Sequence, residues 1–443
     1  MAVQLHARPA GTGAEPGVLV RKYGGSSVAD DACLRRVARS VAAAHRTGSP
    51  IVVVVSAQGD TTDDLLRRAA AAGAPRPSRE VDQLLGTGEV ASAALLAMAL
   101  GALGVPAASL TGGQAGIAAS GPPGAAVVAA VDPARIRQHL AAGEVPVVAG
   151  FQGVDAAGDL LTLGRGGSDT TAVALAAALG TGHCEIWTDV DGVFTSDPRV
   201  VPAARLLPAV GMDVMVEMAF AGARVLHSRA VELAAARGIG LHVRNTFSAG
   251  PGTLIPGRSG PTVLERWGIT AVTHDHDVAR VLVRSAGARR DLAADLLRIL
   301  AEQNVGSDLV ARSGPFEEEF RMGFTIRQRD AGRVVPALRA AVAGLDGTVV
   351  LDENVGKVSL VGIGLLNRPE FTARMLNTLA DAGIATSWVS VSQLRTSVVV
   401  PRDRLLEAVN LLHRTFEPGQ PADWRPVEHS EHGAEQSGTA AEA

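Results

Sequence analysis

The segment GRGGSDTT, residues 164–171, places a cation, flexible backbone and an acid directly before an apolar stretch, TTAVALAAALG. The planar guanidinium of Arg165 is suited to bidentate capture of a carboxylate. Ser168 or Asp169 could act only as a helix N-cap, but a cap requires neither two adjacent glycines nor an arginine. We therefore predict a binding loop on the N-terminus of an apolar helix, where backbone amides favour an anion.

A second glycine-rich segment, KYGGSSV at 22–28, follows a strand-like run and precedes a helix. Its glycines let backbone amides approach an anion closely. The alternative is a tight turn with an incidental lysine. Composition argues against that alternative, because Lys22 and Lys357 are the only lysines among 41 basic residues. A lysine kept in so arginine-rich a chain predicts chemistry that needs a compact point charge, such as phosphate binding.

Two further segments combine acids with small residues. GDTTDDL at 59–65 follows a buried strand, although a helix cap explains the same pattern. GTGE at 86–89 puts Glu89 at the edge of a long uncharged stretch. A carboxylate there needs a partner, either an arginine or the amino group of a substrate.

The next two segments are less specific. WTDVDGVFTSDPR at 187–199 has three aspartates after a strand, which suits a ribose hydroxyl or a hydrated Mg²⁺ on phosphates. An Asx-rich turn is the alternative. GARVLH at 222–227 is predicted to be helical and offers Arg224 and His227, which alone indicate little.

The composition is that of an ordinary globular protein of two or three domains, with 443 residues, 47% of them hydrophobic. The net charge of −4 gives no basic field for nucleic acid. Cys33 and Cys184 have no zinc-ligand spacing and fit a reducing cytosol. No charged residue lies between Glu89 and Asp132, but this run is rich in Ala, Gly and Pro. We expect a buried helix and turns there and no membrane span.

Strand-like and helical segments alternate from residue 18 to about 255, which predicts an α/β domain with a mostly parallel sheet sandwiched by helices. Ligands of such sheets bind at the carboxyl ends of the strands, where the glycine and acid clusters fall. The predicted catalytic domain spans 18–262 and follows a flexible lead at 1–17.

The last third of the chain is repetitive. The segments 280–305 and 357–384 share a strand–helix pattern, and each is followed by two strand-like runs and a helix. We predict two consecutive α+β modules of the βαββαβ type at 263–345 and 346–416. The polar end, 417–443, is predicted to be disordered.

Taken together and in order, these segments resemble the aspartate kinases of the amino-acid kinase family over about 18–416. The two C-terminal modules resemble paired ACT domains, which are small amino-acid sensors. The resemblance implies transfer of phosphate from ATP to the β-carboxylate of L-aspartate, the first step toward lysine, threonine and methionine. It implies Mg²⁺ carried by the ATP phosphates, a homodimer or higher oligomer formed through the ACT-like modules, and a cytoplasmic enzyme.

The resemblance also assigns residues by motif. Catalysis would use Lys22, Arg165 and Asp169. The substrate-binding residues would be Asp60, Thr61, Thr62, Asp63, Asp64, Glu89, Arg165, Gly166, Gly167 and Ser168. The nucleotide would contact Lys22, Tyr23, Gly24, Gly25, Ser26, Thr188, Asp189, Phe194, Thr195, Asp197, Arg199 and Arg224. No residue is assigned as a direct metal ligand.

Several positions depart from the family pattern. Trp187 stands where the family usually has Tyr beside the nucleotide, and Arg224 stands where a Lys is common. The larger departures are in the effector loops, at 285–291, 310–314, 365–371 and 389–395. We therefore predict that feedback by lysine and threonine is weakened or altered.

Three other interpretations compete with this one. The chain could be a non-catalytic amino-acid sensor, but it keeps Lys22, Glu89, Arg165 and Asp169. It could be another acid kinase, for example one acting on glutamate derivatives, although its motifs and C-terminal modules favour aspartate. If the loops were simple turns, the repeated pairing of glycine with charged residues at strand ends would have no explanation.

Overall fold

The computed structural model describes residues 17–74, 77–257, 268–286, 292–312 and 319–419. The predicted lead at 1–17 and tail at 417–443 lie almost entirely outside these ranges. The strands are β1 (Leu19–Tyr23), β2 (Ile51–Val55), β3 (Ala107–Leu110), β4 (Ile117–Ser120), β5 (Val127–Val131), β6 (Val145–Ala149), β7 (Gln152–Val154), β8 (Leu160–Thr162), β9 (His183–Thr188), β10 (Gly240–Asn245), β11 (Thr253–Ile255), β12 (Gly268–Asp275), β13 (Ala279–Ser285), β14 (Asp308–Arg312), β15 (Phe320–Ile326), β16 (Gly347–Asp352), β17 (Val355–Ile363), β18 (Ser387–Val391) and β19 (Arg395–Pro401). The helices are α1 (Asp31–Arg46), α2 (Thr61–Ala71), α3 (Arg79–Ala102), α4 (Ala134–Ala141), α5 (Gly167–Leu179), α6 (Met212–Phe220), α7 (Ser228–Arg237), α8 (Leu292–Glu302), α9 (Gln328–Val342), α10 (Pro369–Asp381) and α11 (Leu405–Phe416).

Seven strands form the main sheet in the order β11–β10–β9–β1–β2–β6–β3. Neighbours pair parallel except β10 and β11. Strand β2, IVVVV, next to the central strand β1, is buried along its whole length, as a parallel strand between two helical layers must be. Helices α1 and α3 cover one face, and α5, α6 and α7 cover the other. The predicted mostly parallel sheet between helices is confirmed.

Helix α3 crosses the uncharged stretch noted in the sequence. Among the helices of the described ranges it alone is long and apolar enough to cross a membrane, judged by length and composition. In this fold it packs on α1, β3 and β6, and it buries the carboxylates of Asp82 and Glu89. It is thus a core helix of the catalytic domain. Its apolar side packs against the sheet, and it also carries the two buried acids Asp82 and Glu89.

The C-terminal modules are interleaved. Their sheets run β14–β15–β13–β16 and β12–β17–β19–β18. Strand β12 therefore belongs to the second module, where it pairs antiparallel with β17, and β16 completes the first module beside β13. The predicted boundaries at 263–345 and 346–416 are wrong in this respect. A repeat in sequence indicates two similar units, but it does not determine which strand each unit borrows.

The prediction of a helix at 222–227 is also wrong. Helix α6 ends at Phe220 and α7 begins at Ser228, so the segment is a turn. Gly222 has a φ of 114°, and a Cβ there would lie 2.2 Å from the carbonyl oxygen of His274. This turn therefore needs glycine in order to pack against β12.

Charged side chains join the two modules to the catalytic domain. The Lys357 ammonium of β17 lies 2.7 Å from the Asp308 carboxylate of β14. Arg395 of β19 contacts Asp308 at 3.0 Å and Glu217 of α6 at 3.2 Å. Both cations also face the Phe220 ring. The second lysine of the chain, only 4% exposed, is therefore part of a junction between three units.

Burial alone would raise the pKa of the Asp308 carboxyl, but the ammonium of Lys357 and the guanidinium of Arg395 outweigh burial and hold it well below its usual range. A depressed folded-state pKa stabilises the protein above the unfolded value of about 3.9. This contribution is lost as pH falls through the folded-state pKa, so it is fully present at neutral pH.

We expect Asp308→Asn to destabilise the protein by about 3 kcal/mol at pH 7, because Lys357 would stay buried without its main counter-ion. Urea unfolding measures the change. The matched control is Asp295→Asn, because Asp295 pairs with the exposed Arg298 and should contribute less than about 1 kcal/mol. Equal effects of the two substitutions would contradict the role assigned to the junction.

Candidate active site

An ion pair lies where β1 meets α5. Strand alternation places Lys22 on the opposite face of β1 from Arg21 and Tyr23. The Lys22 ammonium lies 2.6 Å from the Asp169 carboxylate, and each side chain is 12% exposed. Asp169 occupies the first turn of α5, where the helix dipole favours a negative charge. The structure therefore brings together two of the three residues predicted to be catalytic.

The third, Arg165, is on the loop that precedes α5. Gly166 caps the helix with a φ of 70°, and a Cβ there would collide with the His227 side chain. Arg229 of α7 holds the base of this loop by donating to the carbonyl oxygens of Leu163, at 2.5 Å, and Ala126, at 2.9 Å. Arg229 could not be predicted from the sequence, because nothing in its own helix marks it as a support for a distant loop.

Glycines in α3 bring Glu89 to the same place. A Cβ at Gly88 would lie 2.8 Å from the Ala57 Cβ, and one at Gly86 would lie 2.7 Å from Leu160. Without side chains at these positions, α3 approaches the loop after β2 closely enough for the Ala57 amide to donate to the Glu89 carboxylate at 3.1 Å. The other carboxylate oxygen is buried and has no hydrogen-bond partner among the described residues.

Burial raises the pKa of Glu89 to about 7, and the hydrogen bond from the Ala57 amide offsets only part of this effect. The side chain is 3% exposed. A buried carboxylate with one unpartnered oxygen is stable only if it is protonated or if a cation approaches it. Glu89 is therefore suited to receive the ammonium group of a ligand.

These groups share one cleft of about 730 Å³. The predicted residues that line it are Lys22, Gly25, Thr62, Asp63, Glu89, Arg165, Gly166, Gly167, Ser168 and Asp169. Three other predicted substrate residues do not line it. Asp60 is exposed before α2, the Thr61 hydroxyl donates to the Gln58 carbonyl, and Asp64 pairs with Arg67 on the surface. The predicted acidic run thus contributes one face of its helix to the cleft.

Two residues that the sequence analysis did not single out shape the cleft. Asp82 is 1% exposed, and its carboxylate accepts from the Thr162 amide and hydroxyl and from the Gly124 amide. Phe151 has a φ of 68°, a left-handed conformation that costs a bulky residue ~1 kcal/mol. Both residues belong to the cleft wall, and Asp82 fixes the strand that precedes the Arg165 loop.

A second cavity of about 600 Å³ lies beyond the carboxyl end of β9. The predicted nucleotide residues that line it are Thr188, Asp189, Phe194, Asp197, Arg199 and Arg224. Its far wall comes from the second C-terminal module, through His274, His276 and Leu406. The Arg224 guanidinium lies 3.0 Å from the His276 ring, so this departure from the family's lysine is part of the wall.

Some predicted nucleotide residues are placed differently. Tyr23 is wholly buried beneath α1, so the prediction is wrong for its side chain. Thr195 is also buried, and its hydroxyl bonds His413 and the Arg205 amide. The Gly24 amide already donates to the Trp187 carbonyl, and Ser26 is exposed. For Gly25 and Ser26 phosphate binding stays a prediction.

Trp187 is held by cations and does not line the second cavity. The guanidinium groups of Arg21 and Arg244 both face its ring, which also stacks on Tyr23. Its indole N–H donates to Glu185, which also accepts from Arg21 at 2.7 Å. Trp187, which stands where the family usually has Tyr, is therefore part of an ion-pair network with Arg21, Glu185 and Arg244.

The same network includes the one group of metal-ligand type found in the described ranges, His183, Glu185 and His242, whose ligand atoms lie within 4.8 Å of one another. Glu185 is already paired with Arg21 and hydrogen-bonded to Trp187. A divalent cation would have to displace a guanidinium there. We therefore assign this group to structure and not to a metal.

A middle cavity of about 370 Å³ shares lining residues with each of the other two. Arg165 and Asp169 line both it and the first cleft, and Arg224 lines both it and the second cavity. His227 also lines it, and burial lowers the pKa of its imidazole although Asp169 opposes this effect. The Lys22–Asp169 pair thus lies where the first cleft, which contains Glu89, meets the middle cavity.

Known proteins resemble this chain in sequence and fold. The pattern of the amino acid kinase family matches residues 17–245, and an ACT domain pattern matches residues 358–416. The aspartokinase of Mycolicibacterium smegmatis is 44% identical over 403 residues, which cover 90% of this chain and 96% of that protein. The aspartokinase of Thermus thermophilus is 41% identical over 402 residues, covering 90% and 98%.

Solved structures agree. Aspartokinase III of E. coli superposes with a TM-score of 0.74 at 23% identity, covering 90% of this chain and all of that one. The aspartate kinase of Synechocystis gives a TM-score of 0.50 at 36% identity, covering 92% and 71%. The fold is that of the amino acid kinase family, whose pattern covers just over half of the chain. Within that family, the relatives that are more than 40% identical over nine-tenths of this chain are aspartokinases. The chain therefore belongs to the aspartokinases.

We expect Glu89→Gln to stabilise the ligand-free protein by roughly 3–4 kcal/mol at pH 8 and to have little effect near pH 4.5. The folded-state pKa of about 7 exceeds the unfolded value of about 4.3, so wild-type stability falls as pH rises through that window. Glutamine has no proton to lose. Urea unfolding at the two pH values tests this.

The matched control for that experiment is Glu80→Gln, because Glu80 is on the same helix with its side chain 76% exposed. It should change stability little at either pH. A gain for Glu89→Gln that is the same at both pH values would contradict the raised pKa.

Proposed function

We propose that this chain transfers the γ-phosphoryl group of ATP to the β-carboxylate of L-aspartate, forming 4-phospho-L-aspartate and ADP. A carboxylate oxygen attacks the γ-phosphorus and a new P–O bond forms. The bond from phosphorus to the β,γ-bridging oxygen breaks, and its electron pair leaves with ADP. The nucleophile is already ionised, so the reaction asks for positioning and positive charge and not for a strong base.

The relatives support this proposal. The proteins of M. smegmatis and T. thermophilus are named aspartokinases, and aspartokinase III of E. coli was solved in complex with aspartate and ADP. For this chain the proposal rests on the buried oxygen of Glu89 that has no hydrogen-bond partner in the part of the chain that the structure describes. A ligand that satisfies it must bring a cation into a cleft that also contains Arg165 and Lys22. An amino acid with a second carboxylate has the complementary groups.

Each residue then has a defined role. Glu89 binds the α-ammonium, and Arg165 binds the α-carboxylate through its planar fork. Lys22 neutralises charge that develops on the transferring phosphoryl group, and Asp169 keeps the ammonium of Lys22 in place. The purine nucleotide occupies the second cavity, with its phosphates directed through the middle cavity toward Lys22.

Mg²⁺ is expected with the nucleotide. Asp169 is already paired with Lys22. The other acids that line the middle cavity are Asp275 and Asp277, which belong to the C-terminal modules. This donor set fits an ion held mainly by phosphates and water, which is how Mg²⁺ usually binds in phosphoryl transfer. When bound, the ion neutralises phosphate charge, and the orientation of the substrates falls to the protein side chains.

The proposal extends to assembly and regulation. Paired ACT domains suit a dimer or higher oligomer and an amino-acid effector, and a soluble enzyme of this kind is expected in the cytoplasm. The effector loops at 285–291 and 310–314 lie partly outside the described residues. In the stretch 389–395, Arg395 is committed to ion pairs with Asp308 and Glu217. This commitment supports feedback that is weakened or altered.

The test of the activity uses ATP, Mg²⁺ and L-aspartate, with hydroxylamine to trap the acyl phosphate. We expect hydroxamate from the wild type, none from N-acetyl-aspartate because its ammonium is blocked, and at least about tenfold slower turnover in Lys22→Arg, a loss of about 1.4 kcal/mol. No hydroxamate at any enzyme concentration would reject the kinase. Wild-type turnover in Lys22→Arg would reject the specific role of the lysine.

For regulation, we expect millimolar lysine plus threonine to lower the rate by less than about twofold, because the effector loops have diverged. The same assay measures it, with a feedback-sensitive aspartokinase run in parallel. Inhibition as strong as in that control would show that the diverged loops still form a working effector site.

A further inference from the structure

One wall of the aspartate cleft comes from the first ACT module. Arg333, on helix α9 of that module, lines the same cleft as Lys22, Glu89 and Arg165. Its guanidinium lies 3.1 Å from the carboxylate of Asp330, one turn earlier in the helix. This contact orients the Arg333 side chain, which remains 52% exposed. The guanidinium therefore faces the cleft mouth without being buried.

The beginning of α9 also faces the middle cavity. Arg327 and Arg329 line that cavity together with Arg165 and Asp169. Arg329 lies 3.6 Å from Asp277. Burial is the largest cause that lowers the pKa of the His227 imidazole, and the charges of Arg327 and Arg165 lower it further. The module therefore presents a cationic helix end to the whole path between the two substrate cavities.

The charge of the cleft explains why this helix matters. The ionisable residues that line it are four acids, Asp63, Asp82, Glu89 and Asp169, and three cations, Lys22, Arg165 and Arg333. Without Arg333 the acids that line the cleft would outnumber its cations by two to one, and Lys22 is already paired with Asp169 inside the cleft, whereas the partner of Arg333, Asp330, does not line it. An anionic substrate would then enter against a negative field, with Arg165 as the one cation among the described lining residues that has no ion-pair partner. A positive charge at the mouth removes much of this barrier.

We propose that Arg333 is a substrate-binding residue that the first ACT module supplies to the catalytic cleft, and that it favours the entry and retention of the dicarboxylate. The proposal rests on the aspartate kinase activity proposed above. Because the charge is carried by the sensor module, the affinity for aspartate depends on how that module sits against the catalytic domain. The cleft has its third positive charge only when α9 packs against the catalytic domain.

The test compares Arg333→Gln, Arg333→Glu and Arg333→Lys with the wild type in the full-length chain. We expect the KM for aspartate to rise about fivefold in the glutamine variant and further in the glutamate variant, and to stay near wild type in the lysine variant. The kcat and the KM for ATP should change less than about twofold. The wild-type KM for aspartate should rise more steeply with ionic strength than that of Arg333→Gln.

The matched control is Arg339→Gln, because Arg339 is an exposed arginine in the last turn of the same helix and does not line the cleft. Its KM for aspartate should equal that of the wild type. Equal KM values in the control and in Arg333→Glu would overturn the proposal, as would a loss of kcat with no change of KM. Titration of L-aspartate into the same variants by calorimetry gives the affinity without turnover. An inactive wild type would instead reject the kinase function.

Discussion

The ion pair between Lys22 and Asp169 is the contact on which the geometry of the cleft depends, because it joins the end of a central strand to the start of a buried helix. β1 is held between β9 and β2, with Lys22 opposite Ile186 and Val54. The first ten residues of α5 are buried. Neither partner can move without disturbing the core of the sheet. The positive charge of Lys22 therefore has a fixed position before any substrate arrives, which is the preorganisation that phosphoryl transfer requires.

The second constraint is close approach without side chains. Gly88 lets α3 come near enough for Glu89 to reach the Ala57 amide, Gly86 makes room for Leu160, and Gly166 makes room for His227 beneath the loop of Arg165. These contacts leave a carboxylate buried with one oxygen unsatisfied, which costs stability in the free protein. A ligand ammonium would recover that cost on binding. The free protein is thus less stable than it would be with this oxygen paired, and ligand binding recovers that free energy. The surrounding apolar layers keep the geometry of the site fixed.

The order of strands and helices could be predicted from the sequence because buried parallel strands and amphipathic helices have distinct periods. The residues of the cleft could be predicted where glycine, acid and cation occur together at strand ends. Arg229, Asp82 and Arg333 could not, because each acts on a segment far away in the chain and lies in an ordinary helical context. The predicted contact of the Tyr23 side chain with the nucleotide is wrong for a local reason, because alternation along β1 turns this side chain to the opposite face of the sheet from Lys22. The exchange of β12 and β16 between the modules depends on long-range pairing, which a repeat does not encode.

The interleaved modules explain how a sensor can reach both substrates without a long chain of contacts. The nucleotide cavity has His274 and Leu406 of the second module in its wall, and the aspartate cleft has Arg333 of the first. The two modules are joined to each other and to α6 by Asp308, Arg395 and Glu217. A rotation of either module must therefore change the shape or the charge of a substrate cavity directly. Coupling of this kind needs only a difference in contact free energy between two positions of the modules, not a pathway through the catalytic core.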